Sequence, residues 1–324
     1  DMYAGRLRNQ VSFMLSACNF YMPIFEEALD AYGLPLELRY LPIIESALNP
    51  SAVSRAGASG LWQFMIGTGK IYGLESNSLV DERRDPIKAT WAAARYLKEM
   101  YDIYGDWNLV IAAYNCGPGT INKAIRRANG ETDYWKIYNY LPKETRGYVP
   151  AFIAANYVMT YYCDHNICPM ETNIPASTDT VQVNKNLHFE QIADLCNVPL
   201  DQIKSLNPQY KKQMIPGDSK PYTLRLPIDA ISTFIDKQDT IYTHRADELF
   251  RNRKTVAVKD ITPATRKTTS AVAGKGNLTY YTIKSGDTLS TIARKYGVTI
   301  KDIQRWNGMS STKIAAGKRL KIYK

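Results

Sequence analysis

The apolar residues of this chain change their spacing once, near residue 170, and that change limits its architecture more than any other feature. Before residue 175 they recur at helical intervals, and no segment alternates as a strand does. Residues 11–32 carry Phe13, Met14, Phe20, Ile24, Phe25, Ala28 and Leu29 at near-helical spacing, with Gly33 as the stop. A second helix is expected from Pro35, a favoured first-turn residue, through Leu38, Leu41 and Glu45, with Pro42 kinking it or shifting its start. Asp85-Pro86 is a capping pair for a long helix ending near Gly105, and Asp106 can cap the next, Trp107 to Asn115. Helices at 120–128, 133–140 and 143–162, the last kinked at Pro150, complete an all-α domain over 1–172.

After Pro169 the pattern is different. Thr180–Val183 alternates, helical patterns follow at Phe189–Cys196 and Leu200–Leu206, and Tyr222–Leu226 alternates again. The same strand–helix–helix–strand plan returns at Thr279–Ile283, Thr288–Tyr296, Thr299–Trp306 and Arg319–Tyr323, so one unit is repeated. The expected architecture is multidomain: an all-α domain, a small α+β (βααβ) module at 178–228, a linker at 236–278 and a second α+β module at 279–324. The linker assignment rests on a stretch rich in Thr, Ala, Lys and Arg whose later part is poor in apolar residues. With 324 residues, the chain can bury a core without metal or disulfide staples.

The net charge of +10 sits at one end. Residues 236–324 hold 19 Lys and Arg against 7 Asp and Glu, while 1–235 hold 22 against 24. A basic tail suits an anionic polymer, and on charge alone nucleic acid and acidic cell-wall glycan both qualify. The longest charge-free apolar run, Gly147 to Cys163 apart from its polar Asn156 and its Pro150, reads as a core helix rather than a membrane span. Five cysteines and three histidines lie scattered, so no metal site and no cofactor are expected; Cys163 and Cys168 either pair or stay idle.

Leu38, Leu41, Glu45 and Leu48 fall on one helical stripe, which puts a carboxylate where leucine faces a core. Such a glutamate is either salt-bridged at a helix end or a desolvated general acid with a raised pKa, and position alone does not decide. Its surroundings do. Glu45-Ser46-Ala47-Leu48-Asn49-Pro50 is followed by Ser54-Arg55-Ala56-Gly57-Ala58-Ser59-Gly60-Leu61-Trp62-Gln63-Phe64-Met65. Then come Asp81-Glu82-Arg83-Arg84-Asp85-Pro86, Ala113-Tyr114-Asn115-Cys116-Gly117-Pro118-Gly119 and Lys143-Glu144-Thr145-Arg146-Gly147-Tyr148. In this order they resemble the lysozyme-like lytic transglycosylases, nearest to the membrane-bound lytic transglycosylase D group.

The resemblance implies a lysozyme-like fold for the α domain, with Glu45 as the single catalytic residue. It implies substrate binding by Ser54, Gln63, Met65, Tyr114, Asn115 and Tyr148, with Tyr148 above the acid. Amide side chains such as Gln63 and Asn115 can donate and accept at once, and Tyr114 or Trp62 can cover a sugar face. The implied reaction cleaves the bond between N-acetylmuramic acid and N-acetylglucosamine and leaves a 1,6-anhydromuramoyl end. A two-carboxylate hydrolase needs a second acid roughly 5–9 Å away. Asp81, Glu82 and Asp85 lie in a charged loop that caps a helix, which makes them poor candidates.

The tail sequence Tyr280-Tyr281-Thr282-Ile283-Lys284-Ser285-Gly286-Asp287-Thr288-Leu289, with Trp306-Asn307-Gly308 beyond, resembles a LysM module. That resemblance implies binding of N-acetylglucosamine-containing glycan between two loops, through Ser285, Gly286, Asp287, Thr288 and Leu289 on one side and Met309, Ser310 and Ile314 on the other. Asp287 is expected to cap the first helix of the module. The 178–228 unit resembles a degenerate copy, in which Asn184-Lys185-Asn186-Leu187 replaces the Ser-Gly-Asp-Thr turn. These turn residues explain the basic tail better than nucleic acid does, so no nucleic-acid partner is expected. The partner implied is peptidoglycan glycan, for a monomer in the periplasm, attached to the outer membrane if a lipid anchor precedes residue 1. The competing readings are a goose-type lysozyme-like hydrolase and an inactive wall-binding scaffold.

Overall fold

Helix α1 (Arg8–Ala31) turns Val11, Met14, Tyr21, Phe25, Ala28 and Leu29 inward on one face and forms one wall of the first core. In the computed structural model, the described residues are 2–172, 174–175, 177–250, 278–284, 286–307, 309, 312 and 314–323. They fall into two units, Asp1–Thr262 and Pro263–Lys324.

The α domain continues with α2 (Leu41–Ser46), α3 (Ile66–Ile71), α4 (Pro86–Tyr104), α5 (Trp107–Cys116), α6 (Pro118–Arg127), α7 (Tyr134–Ile137) and α8 (Lys143–Thr160). Helix α4 packs on α1 and α5, and α5 packs on α8. The expected caps are present. Asp85 accepts from the amides of Ile87 and Lys88, and Asp106 from that of Leu109 at 2.8 Å.

The continuous helix expected from Pro35 to Glu45 is replaced by a 3₁₀ turn (Leu36–Tyr40) that hands over to α2. Pro42 lies in the first turn of α2, so it starts the helix rather than kinking it. Ala47 and Leu48 then adopt left-handed φ values of 51° and 58°. Leu38, Leu41 and Leu48 are nevertheless all buried beside Glu45, through a bent path instead of a single stripe. Trp62 was a candidate to cover a sugar; it is wholly buried, edge-on to Phe25, with its indole N–H donated to Thr90 at 2.9 Å. It is core.

The second module pairs β1 (Thr178–Val183) antiparallel with the later strand β4, around α9 (Phe189–Cys196) and α10 (Leu200–Leu206). Two short strands that periodicity did not predict, β2 (Asn186–His188) and β3 (Met214–Pro216), pair antiparallel, and β4 (Tyr222–Pro227) closes the unit. The linker expected from 236 must be corrected. Helices α11 (Ile228–Asp236), α12 (Gln238–Thr243) and α13 (Ala246–Leu249) follow, and Phe234, Ile241 and Tyr242 belong to this module's core. Burial of those three side chains is why the chain does not leave the module at residue 228 or 236. The rest of the expected linker, 251–277, lies outside the described residues.

In the tail, β5 (Leu278–Thr282) pairs antiparallel with β6 (Arg319–Tyr323), and α14 (Leu289–Tyr296) and α15 (Ile300–Asn307) lie between them in sequence. Ile283, Leu289, Ile292, Ile303, Leu320 and Ile322 form its core. The chain is therefore an all-α domain followed by two small α+β modules. No helix among the described residues is long and apolar enough to cross a membrane.

Candidate active site

Glu45 sits in the last turn of α2, where the chain bends into its left-handed cap, and its carboxyl faces a cleft of about 430 Å³. Ser54 and Gln63 line the same cleft, with Tyr3 and Leu7 from the first residues of the chain on another side. Tyr148, on α8, donates its hydroxyl to Oε1 of Glu45. Burial pushes the Glu45 pKa up to about 7; the Glu144 carboxylate raises it further, and the Tyr148 hydrogen bond partly offsets both. The raised value expected from the leucine surroundings is thus found. Burial, with the Glu45 charge adding to it, also holds the phenols of Tyr114 and Tyr148 well above their ordinary range, so both remain neutral donors.

The other expected site residues are placed less uniformly. Ser54 is exposed and its Oγ accepts from the Ala58 amide at 3.0 Å, closing a turn. Gln63 has a left-handed φ of 49° and donates Nε2 to the Gly60 carbonyl at 2.8 Å and to the Ala52 carbonyl at 3.3 Å. Tyr114 donates to the Trp62 carbonyl at 2.7 Å, beneath the acid. Asn115 accepts from Thr145 at 3.0 Å, and Met65 precedes α3; neither lines the cleft. Glu45, Ser54, Gln63 and Tyr148 are brought together.

Among the described residues Glu45 is the one carboxylate lining the cleft. Asp81 and Glu82 are buried in ion pairs with Arg83 and Lys88, and Asp85 is spent on capping α4. Glu144 and Tyr3 escaped sequence reasoning. Glu144 is an ordinary exposed acid in the first turn of α8, and Tyr3 lies far from every motif, so neither carried a signal. A larger depression of about 630 Å³ opens in the second module between Val198 and Ile228. Cys196 and Asp229 are its only titratable lining groups, a poor set for acid–base work on a glycan.

Gly60 fixes the loop that carries Gln63. Its φ is +88°, and a Cβ there would meet the Arg83 carbonyl oxygen at 1.8 Å. Gly60→Ala should therefore cost roughly 3 kcal/mol or more, from left-handed strain plus a backbone clash, read by urea unfolding. A loss below 1 kcal/mol, on the order of an ordinary surface change, would contradict this packing.

In the tail module, Gly286, Asp287, Thr288 and Leu289 follow β5, and Met309 and Ile314 lie between α15 and β6; Ser285 and Ser310 are outside the described residues. The assigned cap must be corrected. Asp287 accepts from the Lys284 amide and the Tyr281 hydroxyl, both at 2.8 Å, closing the turn before the helix. Thr288 is the cap, its Oγ1 accepting from the Thr291 amide at 3.2 Å. The Leu289 side chain is core, so any contact it makes with glycan would be through its backbone.

Comparison with known proteins agrees with this layout. Residues 22–137 match the transglycosylase SLT domain, 177–243 the LysM-like domain of lytic transglycosylase MltD, and 281–322 the LysM domain. The chain is 33% identical over 294 residues to membrane-bound lytic murein transglycosylase D of Escherichia coli, covering 90% of this chain and 60% of that protein. It thus spans about 60% of the length of the curated relatives it matches. Soluble lytic murein transglycosylase of Escherichia coli is 33% identical over 124 residues, 36% of this chain and 19% of its own. Among solved structures, the 70 kDa soluble lytic transglycosylase of Escherichia coli aligns at 29% identity and a TM-score of 0.39, over 44% of this chain and 24% of that one.

Proposed function

This chain carries a transglycosylase SLT domain, an MltD-type LysM-like domain and a LysM domain in that order, and from that premise we propose that it is a peptidoglycan lytic transglycosylase. One observation carries the reading: a single half-buried carboxyl, its pKa raised to about 7 and held by a tyrosine hydroxyl, faces a cleft that no other carboxylate lines among the described residues. Glu45 in its protonated form gives its proton to the oxygen linking N-acetylmuramic acid to N-acetylglucosamine. As a carboxylate it then takes the proton of the muramoyl C6 hydroxyl, whose oxygen closes on C1. The product is a 1,6-anhydromuramoyl end, and no water is consumed. Tyr148 steadies the carboxyl between its two roles, and Ser54 and Gln63 bind the strand beside it. Met65, Tyr114 and Asn115 extend the strand-binding surface beyond this cleft.

The tail module holds the enzyme on N-acetylglucosamine-containing glycan through its Gly286–Leu289 and Met309–Ile314 loops, with Ser285 and Ser310 included in that surface. The protein works as a monomer in the periplasm, at the outer membrane if a lipid anchor lies upstream. The hydrolase alternative needs a second carboxylate within roughly 5–9.5 Å of the first. Glu144 is the nearest charge partner of Glu45, but it is exposed and does not line the cleft.

Because the acid must carry its proton to act first, muropeptide release should fall about tenfold per pH unit once the pH exceeds about 7. Initial rates on purified sacculi across that range test the assignment. A rate still rising through pH 8, on the order of one unit above that pKa, would remove Glu45 from the acid role.

A further inference from the structure

We infer that the second module is a buttress for the cleft: its docking on the 75–84 segment of the α domain positions, through Arg83, the loop that carries Ser54 and Gln63. This rests on the assignment of the Glu45 cleft as the glycan site.

The charge run Asp81-Glu82-Arg83-Arg84-Asp85 has the composition of a solvated loop, yet its first three residues are buried. The second module packs directly against this segment. Leu79 and Val80 are 3% and 0% exposed and belong to the same apolar cluster as Val183, Phe189, Tyr210 and Leu224. The backbone joins as well: Val80 bridges antiparallel to Tyr210, the Lys211 amide donates to the Leu79 carbonyl at 2.8 Å, and the Asp81 amide donates to the Gln209 carbonyl at 2.9 Å. Glu75 pairs with Lys220 at 2.7 Å and accepts from the Tyr222 hydroxyl at 3.2 Å.

Two residues beyond this seam the grip passes to the cleft. Arg83 forks onto Asp81, with Nη2 to Oδ2 at 2.7 Å and Nε to Oδ1 at 2.9 Å. Its Nη1 reaches the other way, to the Gly57 carbonyl at 2.8 Å and the Phe64 carbonyl at 2.9 Å. Those carbonyls bracket the turn that presents Gln63, and Arg84 Nε holds Ser59 between them at 3.0 Å. The Arg83 and Asp81 side chains are only 6% and 3% exposed, so the pair is desolvated and costly unless its geometry is held. A buried fork of this kind fixes register: either the loop sits where Arg83 puts it or two charges lose their partners.

The second module's β1–α9 and α10–β4 loops, the pair expected to flank glycan, are laced together by β2 and β3. Asn186 bonds Asp218 across them, and Gly217 lies so close to Lys185 that a Cβ would be 2.2 Å from its carbonyl oxygen. The remaining stretch, Gln209–Lys211, is the one bound to the α domain.

The test uses the full chain in two variants, Arg83→Lys and Val80→Ala, with deuterium exchange over residues 52–65 as a readout that needs no activity. Arg83→Lys keeps the charge but cannot hold Asp81 and two carbonyls at once. Val80→Ala loosens the seam from the far side without touching the cleft. Both should speed exchange in 52–65 and raise KM for soluble glycan fragments by roughly 2- to 30-fold, with kcat and the pH of half-activity unchanged. Unchanged exchange in 52–65 in the Val80→Ala protein would overturn the buttress, as would equal loss of kcat in both variants. If the wild-type chain turns over no glycan, the functional reading fails, and the exchange result still decides the buttress.

Discussion

Glu45→Gln should reduce release of muropeptides from sacculi by about 10²–10⁴-fold while leaving the chain folded. The amide keeps the shape of the side chain and an oxygen to accept the Tyr148 hydroxyl, but it can neither give nor take a proton. A companion measurement separates chemistry from folding. In the native protein Glu45 has a pKa of about 7 against an ordinary 4.5, so between those values the folded state binds a proton that the unfolded state has released. Stability of the wild-type chain therefore declines as pH rises through that window, by up to about 3 kcal/mol, less whatever residual solvent contact returns. The glutamine variant lacks this penalty. It should match the wild type near about pH 4 and exceed it near about pH 8 in urea unfolding, while being the inactive one of the two. Near-wild-type turnover by the variant would remove Glu45 from the mechanism.

Cutting the chain after residue 250 should weaken retention on insoluble peptidoglycan by about 10²-fold while hardly changing turnover of short soluble glycan fragments. The position of the cut matters. A cut at 236 would strip Ile241 and Tyr242 from the core of the second module and confound binding with folding. Residues 279–324 carry 10 basic and 2 acidic residues, so simple adhesion is the rival explanation. Moderate salt should strip an electrostatic attachment as fully as the truncation does, whereas a glycan-reading module should hold through it. Co-sedimentation with sacculi at low and high salt, with and without the tail, distinguishes these outcomes. Full sedimentation of the truncated chain would end the targeting role.

What could be read from the residues was mostly local. Asp85 and Asp106 cap their helices because a short acidic side chain needs only the amides two or three positions on, and that chemistry is visible in sequence. Glu45 was conspicuous because leucines flank it at core spacing, even though the path through them proved to be a 3₁₀ turn, a short helix and a left-handed cap. Other features depend on partners far along the chain. Three-residue strands such as β2 and β3 carry too little alternation to register, and their pairing spans 26 positions or more. Helices α12 and α13 lie where charge and threonine accumulate, so their few buried side chains were taken for part of a tether. The 81–85 run looked solvated because the groups that bury it, the carbonyls of Gly57, Phe64 and Gln209, are backbone atoms without a side-chain signature. Trp62 could equally have faced a sugar or a core; only the Thr90 hydroxyl waiting for its indole N–H decides that.

The central claim, that one carboxyl closes an anhydro ring instead of activating water, is tested most directly by digesting purified sacculi in water enriched in heavy oxygen. Mass spectrometry then reads every new muramoyl end. The account predicts ends that are one water lighter than hydrolysed ones and carry no label. New reducing ends bearing one heavy oxygen each would contradict it, and would make this chain a hydrolase.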